Sequence, residues 1–96
     1  MDNKNLIDKF SCRCCGYRTL REKPDGTYNI CQVCFWEDDP FQFEDPDYIS
    51  GANRVSLRQG QRNFREFGAT EREMIKNVRP PNQDELRAKD WKFLDD

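Results

Sequence analysis

The chain contains no histidine, and that absence removes whole classes of chemistry. A serine triad and a Cys/His pair both need an imidazole to take the nucleophile's proton, so neither is available. Long apolar runs are missing as well: nothing approaches the roughly 18 apolar residues of a membrane span. The stretch from Met1 to Lys9 holds only the adjacent apolar pair Leu6 and Ile7, whereas a secretory signal needs an apolar core of about seven residues or more. A cytoplasmic chain without membrane contact is the expectation. Apolar material of any kind is scarce, 35% of 96 residues against another 35% charged. That is little to set against conformational entropy on the order of 100–200 kcal/mol for a domain of this size. The length supports a single domain, 1–96, and it needs something besides a core in order to fold.

Cysteine is what the chain has instead. Cys12, Cys15, Cys31 and Cys34 form two Cys-x-x-Cys pairs separated by fifteen residues. Each pair can wrap its backbone around one side of a cation, and the stretch between them has room for a hairpin that brings the pairs together, giving a tetrahedral centre of four thiolates. Disulfides are the competing reading, but they belong to oxidising compartments and nothing here points to export. The knuckles look rubredoxin-like and thiolates suit both zinc and iron; zinc is placed ahead because it is the usual occupant of closed four-cysteine sites. One structural Zn²⁺ is therefore expected, contributing on the order of 10 kcal/mol to folding. A closed centre has no position for a reactive water, so the chain reads as a non-enzyme. Cys14, left without a pair, reads as a small buried hydrophobe more than as a redox thiol, although Arg13 and Arg18 stand near it in sequence.

The fold class follows from the punctuation: a small α+β protein, a metal-stabilised zinc-ribbon β-hairpin followed by two or three short helices. The ribbon spans 10–36. Its strands are expected at 17–20 and 28–30 around the turn Pro24-Asp-Gly-Thr27, with Leu6, Ile7 and Phe10 as a lead-in element. The helical half spans 54–80. Ser56-Leu-Arg-Gln59 is a capping box opening a helix with Leu57, Phe64 and Phe67 on one face, closed by Gly68 as a left-handed cap. Thr70-Glu-Arg-Glu73 is a second box, leading a helix with Met74, Ile75 and Val78 inward, stopped by Pro80 and Pro81. Residues 81–96 form a C-terminal turn or tail, in which Asn82 caps a short element carrying Leu86, and Trp91, Phe93 and Leu94 either dock back or trail.

Residues 37–53 make an acidic-aromatic loop. From Phe35 to Tyr48 there are six acids, no base and five aromatics. Its two prolines and many acids are taken to exclude a regular helix or central strand. Either the aromatics cover the ribbon while the acids face water, or the loop is an interaction surface that steers a basic partner. The residues for that second role are Trp36, Glu37, Asp38, Asp39, Phe41, Phe43, Glu44, Asp45 and Asp47. Gly51 and Asn53 are expected to orient loop and helix; a hard-cation site among Asp38, Asp39, Asp45 and Asn53 is a lesser alternative. Opposite in sign, Arg54, Arg58, Arg62 and Arg65 form a basic stripe, read first as a solvated face partly neutralised by the loop and second as a phosphate contact. The net charge of −2, made more negative by four thiolates around one divalent cation, works against nucleic acid as the partner. Arg13, Arg18, Arg21 and Lys23 keep it as an alternative.

Several blocks taken together carry a resemblance. They are Cys12-x-Cys-Cys-Gly-Tyr17, Cys31-x-Val-Cys-Phe-Trp-Glu-Asp-Asp39, Asp45-Pro-Asp-Tyr48, Gly51-Ala-Asn53, Val55-Ser-Leu57, Asn63-Phe64, Phe67-Gly68 and Val78-Arg-Pro80. In these the chain resembles the bacterial cysteine-rich CPCC family over about residues 12–80. The resemblance implies a small metal-binding ribbon followed by helices, no established enzymatic activity, and a candidate immunity or antitoxin role toward a toxin with a basic surface. Arg13 and Gln32 stand where the family's pattern has proline, while the four ligands are untouched. The leading expectation is a non-enzymatic zinc-binding protein that binds another protein. A nucleic-acid-binding zinc ribbon and a rubredoxin-like redox protein are the alternatives.

Overall fold

Two tight turns, one on each cysteine pair, organise the chain. The structure is a computed structural model and describes residues 9–96; Leu6 and Ile7 lie outside the described residues. Strand β1 (Phe10–Ser11) pairs antiparallel with β2 (Arg18–Leu20), Phe10 opposite Leu20 and Ser11 opposite Arg18, with an irregularity between. The first knuckle is the turn between them. The fold class is as expected, but the hairpin uses a different pair of strands: 28–30 does not pair with 17–20. Beyond the Pro24 turn the backbone passes through positive φ at Gly26 (92°) and Tyr28 (62°). That redirects the chain onto the acidic loop, with Tyr28 N–H donating to Asp38 O at 2.9 Å and Asp38 N–H to Asn29 O at 2.9 Å. Ile30 then forms an antiparallel bridge with Glu37, so the second knuckle closes a small hairpin of its own.

The acidic loop is not irregular throughout. It contains helix α1 (Pro40–Glu44), which corrects the exclusion drawn from its prolines and acids. Proline at the first helical position removes an N–H that would be unsatisfied anyway. Asp39 caps the helix, its Oδ1 accepting from the N–H of Phe41 at 2.8 Å and of Gln42 at 3.1 Å.

Helix α2 (Leu57–Phe67) begins and ends where its caps require. Ser56 Oγ accepts from Gln59 N–H at 3.0 Å, and Gly68 at φ 88° ends it with an N–H to Phe64 O at 2.9 Å. Only half of the box forms, because the Gln59 side chain bonds Asn63 Oδ1 at 2.9 Å instead of reaching back. The next element is a 3₁₀ helix (Arg72–Asn77) without a side-chain cap. The cap position falls on Glu71 and not on Thr70, whose N–H donates to Cys34 O at 3.0 Å and whose carbonyl accepts from Asn63 Nδ2 at 2.7 Å. Ile75, expected inward, is 45% exposed.

The core is essentially the cysteine cluster with its neighbours. Cys12, Cys14, Cys15, Cys31 and Cys34 are buried with Leu20, Val33, Trp36 and Leu57, and Tyr17, Val55 and Phe64 pack around them. Among the described residues no helix is long and apolar enough to cross a membrane.

Candidate metal centre

The two knuckles repeat one geometry. Cys12 N–H donates to Tyr17 O at 3.0 Å and Gly16 N–H to Cys12 O at 2.8 Å; Cys31 N–H donates to Trp36 O at 2.9 Å and Phe35 N–H to Cys31 O at 2.7 Å. Closing each turn needs positive φ at the residue after the second cysteine, 82° at Gly16 and 75° at Phe35. Backbone amides then point at sulfur. Cys14 N–H lies 3.4 Å from Cys12 Sγ, Val33 N–H 3.4 Å from Cys31 Sγ and Trp36 N–H 3.4 Å from Cys34 Sγ. The Thr19 hydroxyl adds a fourth contact, to Cys31 Sγ at 3.0 Å.

These turns bring Cys12, Cys15, Cys31 and Cys34 together. All four Sγ atoms lie within 4.8 Å of one another, with Cys12–Cys34 at 3.6 Å and Cys15–Cys31 at 3.8 Å. A tetrahedral metal with metal–sulfur bonds of about 2.3 Å sets its sulfurs about 3.8 Å apart, so the donor set fits one cation. Burial pushes the Cys12 and Cys34 thiols up, whereas hydrogen bonding from Cys12, then Cys15 and Cys34, holds Cys31 down. Holding all four as thiolates at this depth would take a bound cation to offset their charge. This is a four-cysteine metal-binding site with every ligand buried. Cys14 is buried too, its Sγ facing Gly60, where an added Cβ would stand 3.4 Å from it and from the Trp36 ring. It is packing that lets α2 approach the knuckle.

The tail docks back onto the first knuckle. The Trp91 ring occupies the space a side chain at Gly16 would need, a Cβ there falling 2.5 Å from its Nε1. Arg87 Nε donates to Cys15 O at 2.8 Å and its guanidinium lies 4.2 Å from the Tyr17 ring centroid. Gln61 joins knuckle and tail, donating to Arg13 O at 2.9 Å and accepting from Leu94 N–H at 2.8 Å. Leu86, carried on the turn after Asn82, is 67% exposed. Buried Glu85 ties the tail to the other side. It takes both Arg79 Nη atoms at 2.8 and 2.9 Å and Asn82 N–H at 2.7 Å, and its carboxyl is held down to about 2, chiefly by Arg79 and against its own burial.

The loop residues assigned to a partner divide into two groups. Trp36, Asp38 and Asp39 are buried and cannot contact a partner, which corrects that assignment. Asp38 Oδ2 accepts from Gly26 N–H, Thr27 N–H and the Thr27 hydroxyl at 2.7–3.0 Å, and Asp39 Oδ2 from Ala52 N–H at 2.7 Å. They are turn-formers, and among the described residues only the four cysteines cluster as metal ligands. Glu37 is half-buried; Phe41, Phe43, Glu44, Asp45 and Asp47 are exposed. Asn53 orients the loop as expected, exchanging two 2.8 Å bonds with the Glu37 backbone. Sequence reasoning passed over the loop's hub, Gln42. Fully buried, it donates to Tyr48 O and Val55 O at 2.9 Å and accepts from Asn53 N–H at 3.2 Å and Asn53 Nδ2 at 2.9 Å. A glutamine between two phenylalanines carries no motif, so nothing in the sequence marked it.

The basic stripe is occupied from within. Arg58 meets Asp47 and Asp95 at 2.9 Å each, Arg62 meets Asp95 at 2.6 Å and Arg65 meets Asp96 at 3.1 Å; exposed Arg54 reaches Glu71 at 4.0 Å. Neutralisation by the same chain was expected. Its main source is the tail, with the loop supplying Asp47 alone.

With both knuckles and the helical half in place, comparison with protein families is decisive: the model of the Cysteine-rich CPCC family matches residues 10–85. The chain belongs to the cysteine-rich CPCC family. The match takes in both knuckles, the acidic loop, α2, the 3₁₀ helix and Glu85. A search among curated proteins finds no match. Against the CPCC pattern, Arg13 is the informative departure. Its Nη2 donates to Pro24 O at 2.9 Å and its guanidinium stacks 3.4 Å from the Phe43 ring centroid, tying the first knuckle to the turn and to α1.

Proposed function

We propose that the chain is a non-enzymatic, zinc-stabilised protein that binds another protein through the outer face of α1 and the turn after it. The observation that carries this reading is a run of large apolar side chains left in solvent: Phe41 at 62%, Phe43 at 45%, Tyr48 at 39% and Ile49 at 67% exposed. A chain so poor in apolar residues gains core by burying them, and it leaves four outside within nine positions. Exposed Glu44 and Asp45 lie among them, giving a surface with aromatic contact area and a negative field suited to a basic partner. Within the CPCC family the fitting role is an immunity or antitoxin protein that covers a toxin's cationic surface, with the metal centre as scaffold. Zinc is assigned because a closed set of four buried sulfurs gives a redox-inert ion a structural role and leaves no position for substrate. Absence of histidine supports the non-enzymatic reading.

Co-purification from the native host at low salt, with mass identification of the bound species, tests the partner class. A cationic protein is expected; a nucleic acid would replace this reading. Once a partner is in hand, Glu44→Lys with Asp45→Lys is expected to slow association by about tenfold or more at low salt and much less at high salt. Unchanged rates would move the interface elsewhere. A red-brown protein containing iron would overturn the zinc assignment.

A further inference from the structure

Among the described residues, the second knuckle leaves one strand edge open. In the Ile30–Glu37 bridge, the paired hydrogen bonds flank the two residues, Cys31 N–H to Trp36 O and Asp38 N–H to Asn29 O, both at 2.9 Å. The backbone N–H and C=O of Ile30 and of Glu37 therefore point away from the pair. On the Glu37 side they are met by the Asn53 amide, which accepts and donates at 2.8 Å as a neighbouring strand would. On the Ile30 side no described residue supplies a partner.

That open edge faces a groove. Two hollows of about 480 and 500 Å³ meet at Ile30, Gln32 and Arg79. Ile30 is 45% exposed, and Phe35 lines the floor at φ 75°. That conformation costs an L-residue about 1–2 kcal/mol, which Gly16 avoids at the equivalent place in the first knuckle. The rim is cationic. Glu85 is paired with Arg79 and Lys9, Glu22 keeps its charge while accepting from Asn29, and exposed Arg21 and Lys76 have no ion-pair partner among the described residues, so that cations outnumber acids along the two hollows.

We propose that this edge docks an extended, acidic segment of a partner protein, which adds as a strand to Ile30 and sets its carboxylates against Arg21 and Lys76. The N–H and C=O of Ile30 hold the segment, the next carbonyl, Gln32 O, being taken by Arg79 N–H at 3.1 Å, and an apolar side chain beside Ile30 enters the hollow. The surface shares no residue with the aromatic-acidic face of α1 and does not depend on that reading.

The probe is a short fluorescein-labelled peptide alternating glutamate and valine, followed by anisotropy and by amide-shift mapping on the isotope-labelled full chain. Saturable binding is expected, with shifts at Ile30, Gln32 and Phe35. Arg21→Glu with Lys76→Glu should weaken it about tenfold or more, and N-methylation of alternate peptide residues should abolish it. Both substituted positions are exposed; were the double variant to misfold, the N-methyl comparison on the wild-type chain still decides. Equal binding of a lysine–valine peptide, undiminished binding of the N-methylated one, shifts elsewhere, or no binding would overturn the proposal. So would concentration-dependent shifts at these residues without peptide, which would give the edge to a second copy of this chain.

Discussion

The two knuckles share a backbone and differ in everything around it. Each has the same pair of turn bonds, an amide-to-sulfur contact at its first cysteine and a positive-φ residue after its second; only the second knuckle adds an amide contact to its second sulfur, from Trp36 N–H to Cys34 Sγ. The first is enclosed: Trp91 lies over Gly16, Arg87 and Gln61 bond its carbonyls, and Arg13 ties it to Pro24 and Phe43. The second is bonded through Thr70 and Arg79, yet it presents Gln32 and Ile30 to a groove. One four-cysteine site thus joins a more enclosed half to a more exposed one.

The residue after each second cysteine offers the largest break in that comparison. Gly16→Ala would place a methyl inside the Trp91 ring at unfavourable φ, and a loss of about 3 kcal/mol or more is expected, with the tail displaced. Phe35→Gly removes the strain at φ 75° and is expected to change stability by less than about 1 kcal/mol. Denaturant midpoints of the metal-bound proteins measure both. Equal losses would mean that the knuckles are not differently enclosed.

A smaller effect comes from Glu85, which fastens the tail and lines the groove. Its folded pKa of about 2 lies below the ordinary carboxylate value. Its contribution is therefore complete above about pH 4.5 and fades as pH falls toward 2, and it is worth roughly 1–3 kcal/mol with allowance for the part-exposed Arg79. Acid also protonates the thiolates, so the informative quantity is the gap between wild type and Glu85→Gln. The gap is expected to shrink between pH 5 and about 2; a constant gap would show that the pair does not titrate as described.

Restoring the family's prolines separates the knuckles again. Arg13→Pro loses the bond to Pro24 and the stacking on Phe43 and is expected to cost about 1–2 kcal/mol. Gln32→Pro, whose side chain bonds no described residue, is expected to change stability by less than about 0.5 kcal/mol. Thermal melts of the two variants give the comparison. Least of all, Asp95→Asn with Asp96→Asn removes exposed ion pairs from the arginine stripe and is expected to lower the melting temperature less than any of the variants above, and less still in high salt. A larger loss would make the stripe a principal anchor of the tail.

Local signals were the legible ones. Cysteine spacing specifies a knuckle within a few bonds, so Cys12, Cys15, Cys31 and Cys34 could be assigned as ligands from sequence. Ser56 and Gly68 marked α2 because capping is a matter of adjacent residues. What escaped depends on distant partners. A two-residue strand such as β1 has no periodicity to detect, so its pairing with β2 was missed. Asp38 and Asp39 read as solvent-facing because acids usually are; backbone N–H groups from Gly26 and Thr27 meet Asp38 Oδ2, and that of Ala52 meets Asp39 Oδ2, offsetting part of the cost of burial, and those groups assemble only in the fold. Trp91 on Gly16 is likewise a contact that no local pattern announces.

A scaffold role for the four cysteines requires a single ion bound among them. Metal analysis of the purified protein, paired with near-UV circular dichroism and melting before and after chelation under reducing conditions, tests this most directly. One equivalent of zinc per chain is expected, with loss of the near-UV signal and of the cooperative melt once it is removed. A metal-free protein that keeps both its near-UV spectrum and its melting temperature would contradict it.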